Sequence, residues 1–273
     1  MGVKSVIKSI IKGKKTILPI EKPIPESKML SGKVALISGG SGGIGMAIAK
    51  SLQECGCFVI IGGTNSNKLD KCKNNLIESL TKTVVLNLNE ISTFSQVIED
   101  AHNMYGKIDI FVNSAGIHTK DVNIWTMTPD EYDNVMNINL KGVYFFSIEM
   151  AKYWKKNQMK GHILLISSNR GSEPAWSPYG ISKWGINGMT KGLAKLLLPD
   201  EIIVNAISPG ATATPLLGVG EGESIYCEDN NLHRMITPEE VGAYARMLVS
   251  DIGDMLVGET IHISGGRGVF DIR

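Results

Sequence analysis

Short runs of valine, isoleucine and leucine recur along this chain, and a helix-period stretch follows most of them. From residue 33 the runs are KVALIS (33–38), CFVIIGG (57–63), KTVVLNL (82–88), KIDIFVNSAG (107–116), GHILLIS (161–167), IIVNAIS (202–208) and GETIHIS (258–264). Runs without polar alternation are strands buried on both faces, the condition of a parallel sheet covered by helices. Helices are expected between them over 43–56, 65–80 and 92–106, the first closed by Gly56. Strict alternation of the two element types predicts an α/β fold, a doubly wound (Rossmann) parallel sheet of about seven strands. A length of 273 residues suits a single such domain over 31–273, preceded by an arm over 1–30.

In a doubly wound sheet a ligand binds beyond the carboxyl ends of the strands. The segment leaving the first strand reads SGGSGGIG (38–45), with five glycines in eight residues. So many glycines weaken a regular element. They suit a sharp reversal that lets a pyrophosphate approach the amides of a helix N-terminus, where the helix dipole also favours an anion. Gly39, Ser41, Gly42, Gly43, Ile44 and Gly45 are the expected nucleotide-facing residues. A second signal is PYGISKWG (178–185), which places Tyr179 and Lys183 four apart at the start of an expected helix. Residues i and i+4 share a helix face. An ammonium beside a phenol favours the phenolate and lowers its pKa, so that such a tyrosine can give or take a proton near neutral pH.

The spacing Gly39-x-x-x-Gly43-x-Gly45 after Ser38, taken with Tyr179-x-x-x-Lys183, resembles the short-chain dehydrogenase/reductase family. Members like the 3-oxoacyl-acyl-carrier-protein reductases are the ones it resembles, over about residues 31–265. The resemblance implies NAD(P)-dependent interconversion of a carbonyl and a secondary alcohol, with Tyr179 as acid/base and Lys183 tuning it and gripping the nicotinamide ribose. Ser168 would position the reacting oxygen; it stands 11 residues before Tyr179, about two short of the family spacing, and Ser167 is its neighbour expected to point into the sheet. Asn139, in NVMNINLKG, would hold a water in a relay with Lys183, with Asn137 as the more structural alternative. Asn113 would brace the sheet, and Ala115 and Gly116 would leave room for the adenine ribose. Asn87, followed by Leu88, stands where the family carries an aspartate at the adenine. Pro209, Gly210, Thr212 and Thr214, in SPGATAT, would meet the nicotinamide end. Two other readings use the same fold: a dehydratase or epimerase that retains its nucleotide, and a non-catalytic nucleotide-binding scaffold. A scaffold needs none of Asn139, Ser168, Tyr179 and Lys183.

The second strand ends IIGGTNSNK, with no acid before Asp70. An acid there serves the ribose diol of NAD. Its absence removes repulsion against a 2′-phosphate, and Thr64, Asn65, Ser66 and Lys68 offer donors, so NADP is expected in preference to NAD. Residues 215–236 form a polar connection with Glu221, Glu223, Glu228 and Asp229, and with His233 and Arg234 behind them. A long loop over a crevice is a lid or binding loop. Its polarity points to a small polar carbonyl or alcohol substrate. Trp176 and Trp184 flank the tyrosine and read as core or dimer contacts before substrate platforms. Thr237 and Glu240 have capping-box spacing.

A net charge of +1 excludes a general polyanion binder, and no nucleic-acid partner is expected. Residues 1–30 carry +5 and the rest −4. Val3, Val6, Ile7, Ile10 and Ile11 lie at helical spacing opposite Lys4, Lys8 and Lys12, and a proline-rich linker follows. This basic arm reads either as a segment packed on its own domain or as an interfacial helix, over 1–15, for a membrane surface or a partner. Cys55, Cys57, Cys72 and Cys227 form no CxxC pair and no metal-ligand spacing, so no metal is expected and a reducing cytoplasm fits. No apolar run reaches the length of a membrane span. The helix bearing Tyr179 and the one after NINLKG carry more apolar surface than one domain covers, which suggests a homodimer or homotetramer.

Overall fold

The computed structural model describes residues 25–120, 123–220 and 222–269. Seven strands form one all-parallel sheet: β1 (Val34–Ser38), β2 (Phe58–Gly63), β3 (Thr81–Val85), β4 (Ile110–Asn113), β5 (Gly161–Ile166), β6 (Ile202–Pro209) and β7 (Thr260–Ile263). Their order is β3-β2-β1-β4-β5-β6-β7, so the strand sequence reverses between β1 and β4. The register there sets Ser38 beside Asn113, and on the other side Ser38 beside Gly62. The main helices are α1 (Gly43–Glu54), α2 (Ser66–Lys73), α3 (Phe94–Tyr105), α4 (Pro129–Met136), α5 (Val143–Lys156), α6 (Pro178–Leu197) and α7 (Pro238–Leu248).

The central strands β1, β4 and β5 are apolar because helices cover both of their faces, whereas the edge strands β3 and β7 are partly open and carry Thr81, Lys82, Thr83, Thr260 and His262. Val34 and Leu36 point into a cluster with Phe94 of α3, Phe146 and Trp154 of α5 and Ile186 of α6. Ala35 and Ile37 alternate to the opposite cluster, with Ile48 of α1, Leu69 of α2 and Val241 of α7. Gly56, with φ of +84°, turns the chain from α1 to β2. Thr237 and Glu240 form the expected capping box at α7.

Several expected elements come out shorter, among them the last run, 258–264, which is strand only at Thr260–Ile263. The helix expected over 65–80 ends at Lys73 and resumes only as a 3₁₀ turn at Glu78–Leu80. Leu69 is its sole buried residue, so little packing holds further turns. Of the run 82–88, only residues to Val85 are strand, leaving Asn87 and Leu88 in the loop beyond. The run 107–116 is strand only at Ile110–Asn113, so Ser114, Ala115 and Gly116 turn away at the sheet's end.

Between α4 and α5 the helix passes through a π-helical stretch, Asn137–Gly142, in which Asn139 and Gly142 are buried. Such stretches are frequently functional. Of the basic arm, residues 1–24 lie outside the described residues, and with them the stripe expected over 1–15. Residues 25–30 lie on the domain: Glu26 pairs with Arg246 of α7, and Leu30 is fully buried. Among the described residues no helix is long and apolar enough to cross a membrane, and no group of metal-ligating side chains forms.

Candidate active site

The carboxyl ends of β1, β4, β5 and β6 open onto a cleft of about 460 Å³. Of the residues singled out in the sequence, Ile44, Gly116, Ser167, Ser168, Tyr179, Lys183, Asp229, and the group Pro209, Gly210, Thr212 and Thr214, line it, and so does Trp176, which is half exposed rather than a core contact. α6 presents Tyr179 and Lys183 together because Ser177 caps its start, accepting from Gly180 N–H, and Pro178 occupies the first turn. Ser168 sits just past β5, where its hydroxyl accepts from Arg170 N–H at 3.2 Å and bonds Asn169 Oδ1 at 3.2 Å. Ser167 is spent elsewhere, bonding Asn187 Oδ1 of α6 at 2.6 Å.

Lys183 is buried, and its ammonium donates to the Ile166 carbonyl at 2.9 Å. Burial lowers its pKa to about 8. Its Nζ lies 5.5 Å from the centre of the Tyr179 ring. The lysine was expected to lower the tyrosine pKa, but the direction is the reverse. Burial raises the Tyr179 phenol above its ordinary value, and only the Ser168 hydroxyl and then Arg170 draw it partly back. The phenol therefore holds its proton at neutral pH, the form an acid needs.

Asn139 stands behind the cleft. Its carboxamide accepts from Ile117 N–H and donates to the Ile117 carbonyl, each at 2.8 Å, and lies 3.4 Å from Ser182 Oγ. The side chain expected to hold a relay water thus ties down the segment after β4. A Cβ on Gly116 would come 3.4 Å from Asn139 Oδ1 and 3.7 Å from Lys183 Nζ, so Asn139, Gly116 and Lys183 are neighbours. Asn113 braces the sheet as expected, accepting from Ser38 Oγ at 2.7 Å.

The glycine turn leaves the N-terminus of α1 open. Gly42 provides no side-chain cap, and the first turn holds no acid. Unpaired amides and a positive dipole end suit a phosphate. The glycines themselves answer to closer neighbours than a ligand. Gly39 has φ of +65°, and a Cβ there would meet the Ala115 backbone at 2.6 Å. A Cβ on Gly43 would strike Thr214 Cγ2 at 2.7 Å, and one on Gly45 would strike the Gly39 carbonyl. Ser41 flanks the end of β2, where a Cβ on Gly63 would lie 3.6 Å from its Oγ. These approaches make the turn tight enough to expose its amides, so the cradle fits a dinucleotide.

The adenine-side candidates lie outside the cleft lining. Thr64 and Asn65 are exposed past β2, and Asn65 Oδ1 caps α2 by accepting from Lys68 N–H at 2.9 Å. Asn87 bonds Glu90 and Asn89 N–H, and the Leu88 side chain is buried in the core, leaving only its backbone to a ligand.

Sequence reasoning missed the charged rim. Glu173 accepts from Arg170 at 2.9 Å and from Arg267 Nε at 2.8 Å, while Arg267 also reaches Asp229 at 2.6 Å. The pairs join the β5–α6 loop, the lid and the segment after β7, and their charges cancel. Arg170 lies two residues past Ser168 and Arg267 four past the last strand, and position beyond a strand end was the signal available.

Comparison with known proteins shows the family. The family model "short chain dehydrogenase" matches residues 33–221. The chain belongs to the short-chain dehydrogenases. It is 34% identical over 244 residues to the 3-oxoacyl-(acyl-carrier-protein) reductase of Aquifex aeolicus, covering 87% of this chain and 98% of that one. With the enzyme of the same name from Thermotoga maritima it shares 36% over 244 residues, with the same coverage. The crystal structure of 3-ketoacyl-(acyl-carrier-protein) reductase from Brucella melitensis, complexed with NADH, superposes with a TM-score of 0.81 at 28% identity, covering 88% of this chain and all of that one. This short-chain dehydrogenase is an NAD(P)-dependent oxidoreductase that interconverts a carbonyl and a secondary alcohol.

Proposed function

We propose that Tyr179 is the proton donor and acceptor at the reacting oxygen, and that the substrate is a polar ketone or its alcohol. The observation that carries this is the placing of Tyr179, Ser168 and Lys183 on one wall of the cleft. A bound nicotinamide dinucleotide supplies or takes up the hydride. Ser168 holds the substrate oxygen against the phenol, and its hydroxyl already eases loss of the phenolic proton. Lys183 keeps positive charge beside the ring while it remains protonated, and meets the nicotinamide ribose. Asn139 acts by position, fixing Ile117 and the cleft wall around Gly116. The pyrophosphate rests on the amides after Gly39, with Pro209, Gly210, Thr212 and Thr214 at the nicotinamide end. The phenol raised by burial is in the protonated form that the reductive step uses.

The neutralised rim of Arg170, Glu173, Asp229 and Arg267 supports a polar, uncharged substrate, because an anion would have to displace a carboxylate from an arginine. A panel of hydroxylated ketones, 3-oxo esters and 3-oxoacyl thioesters, followed by nicotinamide absorbance, tests this. A clear preference for the long acyl thioesters overturns the polar reading and brings the chain to the reaction named for its relatives.

We further propose that NADP is preferred over NAD. Thr64 is exposed at the end of β2 with no carboxylate beside it. Thr64→Asp is expected to reverse the preference by at least tenfold through repulsion of the 2′-phosphate. Fluorescence titration of both cofactors against both proteins measures it, and a tenfold preference of the unaltered protein for NAD refutes the reading.

Self-association follows from α5 and α6, which expose Tyr144, Phe145, Trp184 and Leu196. An uncovered apolar face of this kind suits a symmetric partner copy. Light scattering should return a multiple of 29.6 kDa, and a monomer mass at micromolar concentration overturns the expectation. A cytoplasmic setting accords with four unpaired cysteines.

A further inference from the structure

His118 lies two residues beyond Gly116 and lines the cleft. Its imidazole is stacked on the Tyr179 phenol, with ring centres 4.1 Å apart and planes 19° from parallel. The adjacent Thr119 takes the Tyr179 N–H on its hydroxyl at 3.4 Å. The segment after β4 therefore grips Tyr179 twice, by ring face and by backbone. The same segment is anchored through Ile117 to Asn139. Three successive residues thus connect the π-helical stretch to the phenol.

We propose that His118 is a positioning residue for proton transfer, which fixes the plane of the Tyr179 ring while its imidazole is neutral and loosens it when protonated. This rests on Tyr179 being the acid/base. A phenol turns about two side-chain torsions, and a hydroxyl aimed at a substrate oxygen needs both held. α6 fixes the Tyr179 backbone, and the flat stack restrains the ring. The charged groups that face His118 are Lys183 from α6 and Arg170 from the turn after β5. Both are cations. Together with burial they favour the neutral imidazole. An imidazolium at this place is disfavoured first by burial and then by Lys183 and the Glu173-paired Arg170, and the stack loosens where these outweigh the attraction of a cation to the phenol face.

The stack is tested without any substrate. In the proton NMR spectrum, the His118 ring signal, assigned by its loss in His118→Phe, should lie upfield from the ring current of Tyr179. It should move downfield in Tyr179→Leu. A His118 signal unmoved by Tyr179→Leu overturns the stack.

The catalytic consequence is read with NADPH and ethyl acetoacetate as the probe ketone. His118→Phe keeps a flat ring and should hold kcat within about threefold. His118→Ala should lower kcat at least tenfold, with little change in the KM for NADPH. Because burial and the neighbouring cations lower the His118 pKa, the unaltered enzyme should lose kcat only on the acid side of the ordinary imidazole range, and His118→Phe should not. An Ala variant within twofold of the parent, or a Phe variant as slow as the Ala variant, overturns the positioning role. An acid limb that persists in His118→Phe overturns the role of its protonation. Tyr179→Phe runs alongside as a separate control. If that protein still turns over, the acid/base assignment itself fails, which is a different result from an indifferent His118.

Discussion

Tyr179→Phe should lower turnover by about 10²–10⁴-fold while cofactor affinity stays within a few-fold, because a positioned proton donor contributes on that scale. The substitution removes one oxygen and keeps the ring. The stack with His118, at 4.1 Å, needs only the ring, as does the Lys183 ammonium 5.5 Å from its centre. What disappears is the transferable proton and the contact with Ser168. The cofactor cradle proposed above, at the glycine turn and the segment after β6, does not use the phenol oxygen, so its geometry should persist. The pH dependence carries a further check. Burial raises the Tyr179 pKa, so the phenol stays protonated through neutral pH and does not produce a titration limb there. Lys183, lowered to about 8, does. Reductive kcat should therefore decline as pH rises through about 8, as the ammonium beside the phenol is lost. Stopped-flow measurement of nicotinamide oxidation, with and without the hydroxyl, decides it. A Phe variant within tenfold of the parent removes Tyr179 from the proton-transfer step.

The sheet is legible because short apolar runs recur seven times, and in the central strands they rest on one physical condition, burial on both faces. Val34, Leu36, Ala35 and Ile37 show why: alternate side chains enter opposite clusters, and both are apolar. The place for a ligand beyond the strands' carboxyl ends follows from the sheet type, while the reversal between β1 and β4 is visible only in the strand order of the fold. Spacing put Tyr179 and Lys183 on one helix face, and the cap at Ser177 with Pro178 realised it. Other features of the site depend on distances between elements remote in sequence. Nothing local in SAGIHTK says that His118 will lie flat on a ring 61 positions later. Glu173 and Arg267 are 94 residues apart, and each alone is an ordinary surface charge. The sign of the Tyr179 shift is hidden from the sequence for the same reason. Sequence gives the neighbour's charge but not the burial that outweighs it. The glycines were read as space for a ligand, whereas Gly39 is required by the Ala115 backbone and Gly43 by Thr214.

Lys183→Met should abolish turnover and at the same time stabilise the cofactor-free protein at neutral pH. A free lysine titrates at 10.5 and Lys183 at about 8, so burial disfavours its charged form in the folded state. Below pH 8 both folded and unfolded chains carry the proton, and folding bears the full cost of desolvating the ammonium. Between pH 8 and 10.5 the unfolded chain holds more protons than the folded one, so stability rises with pH across that window. The cost relieved amounts to about 3 kcal/mol. Methionine fills a similar volume without charge. It forfeits the 2.9 Å hydrogen bond to the Ile166 carbonyl, which offsets about 1 kcal/mol of the gain. A net increase of about 2 kcal/mol at pH 7 corresponds to a rise of several degrees in Tm for a domain of this size. The advantage should shrink at pH 9.5, where the native lysine has already lost most of its proton. Melting curves of both proteins at pH 7 and pH 9.5 therefore separate electrostatics from packing. A gain that persists unchanged at pH 9.5 assigns it to the methionine side chain, and a loss of stability at pH 7 shows that the ammonium is held more favourably than its burial implies. With the expected result, the buried lysine beside the phenol is one the fold alone would be more stable without.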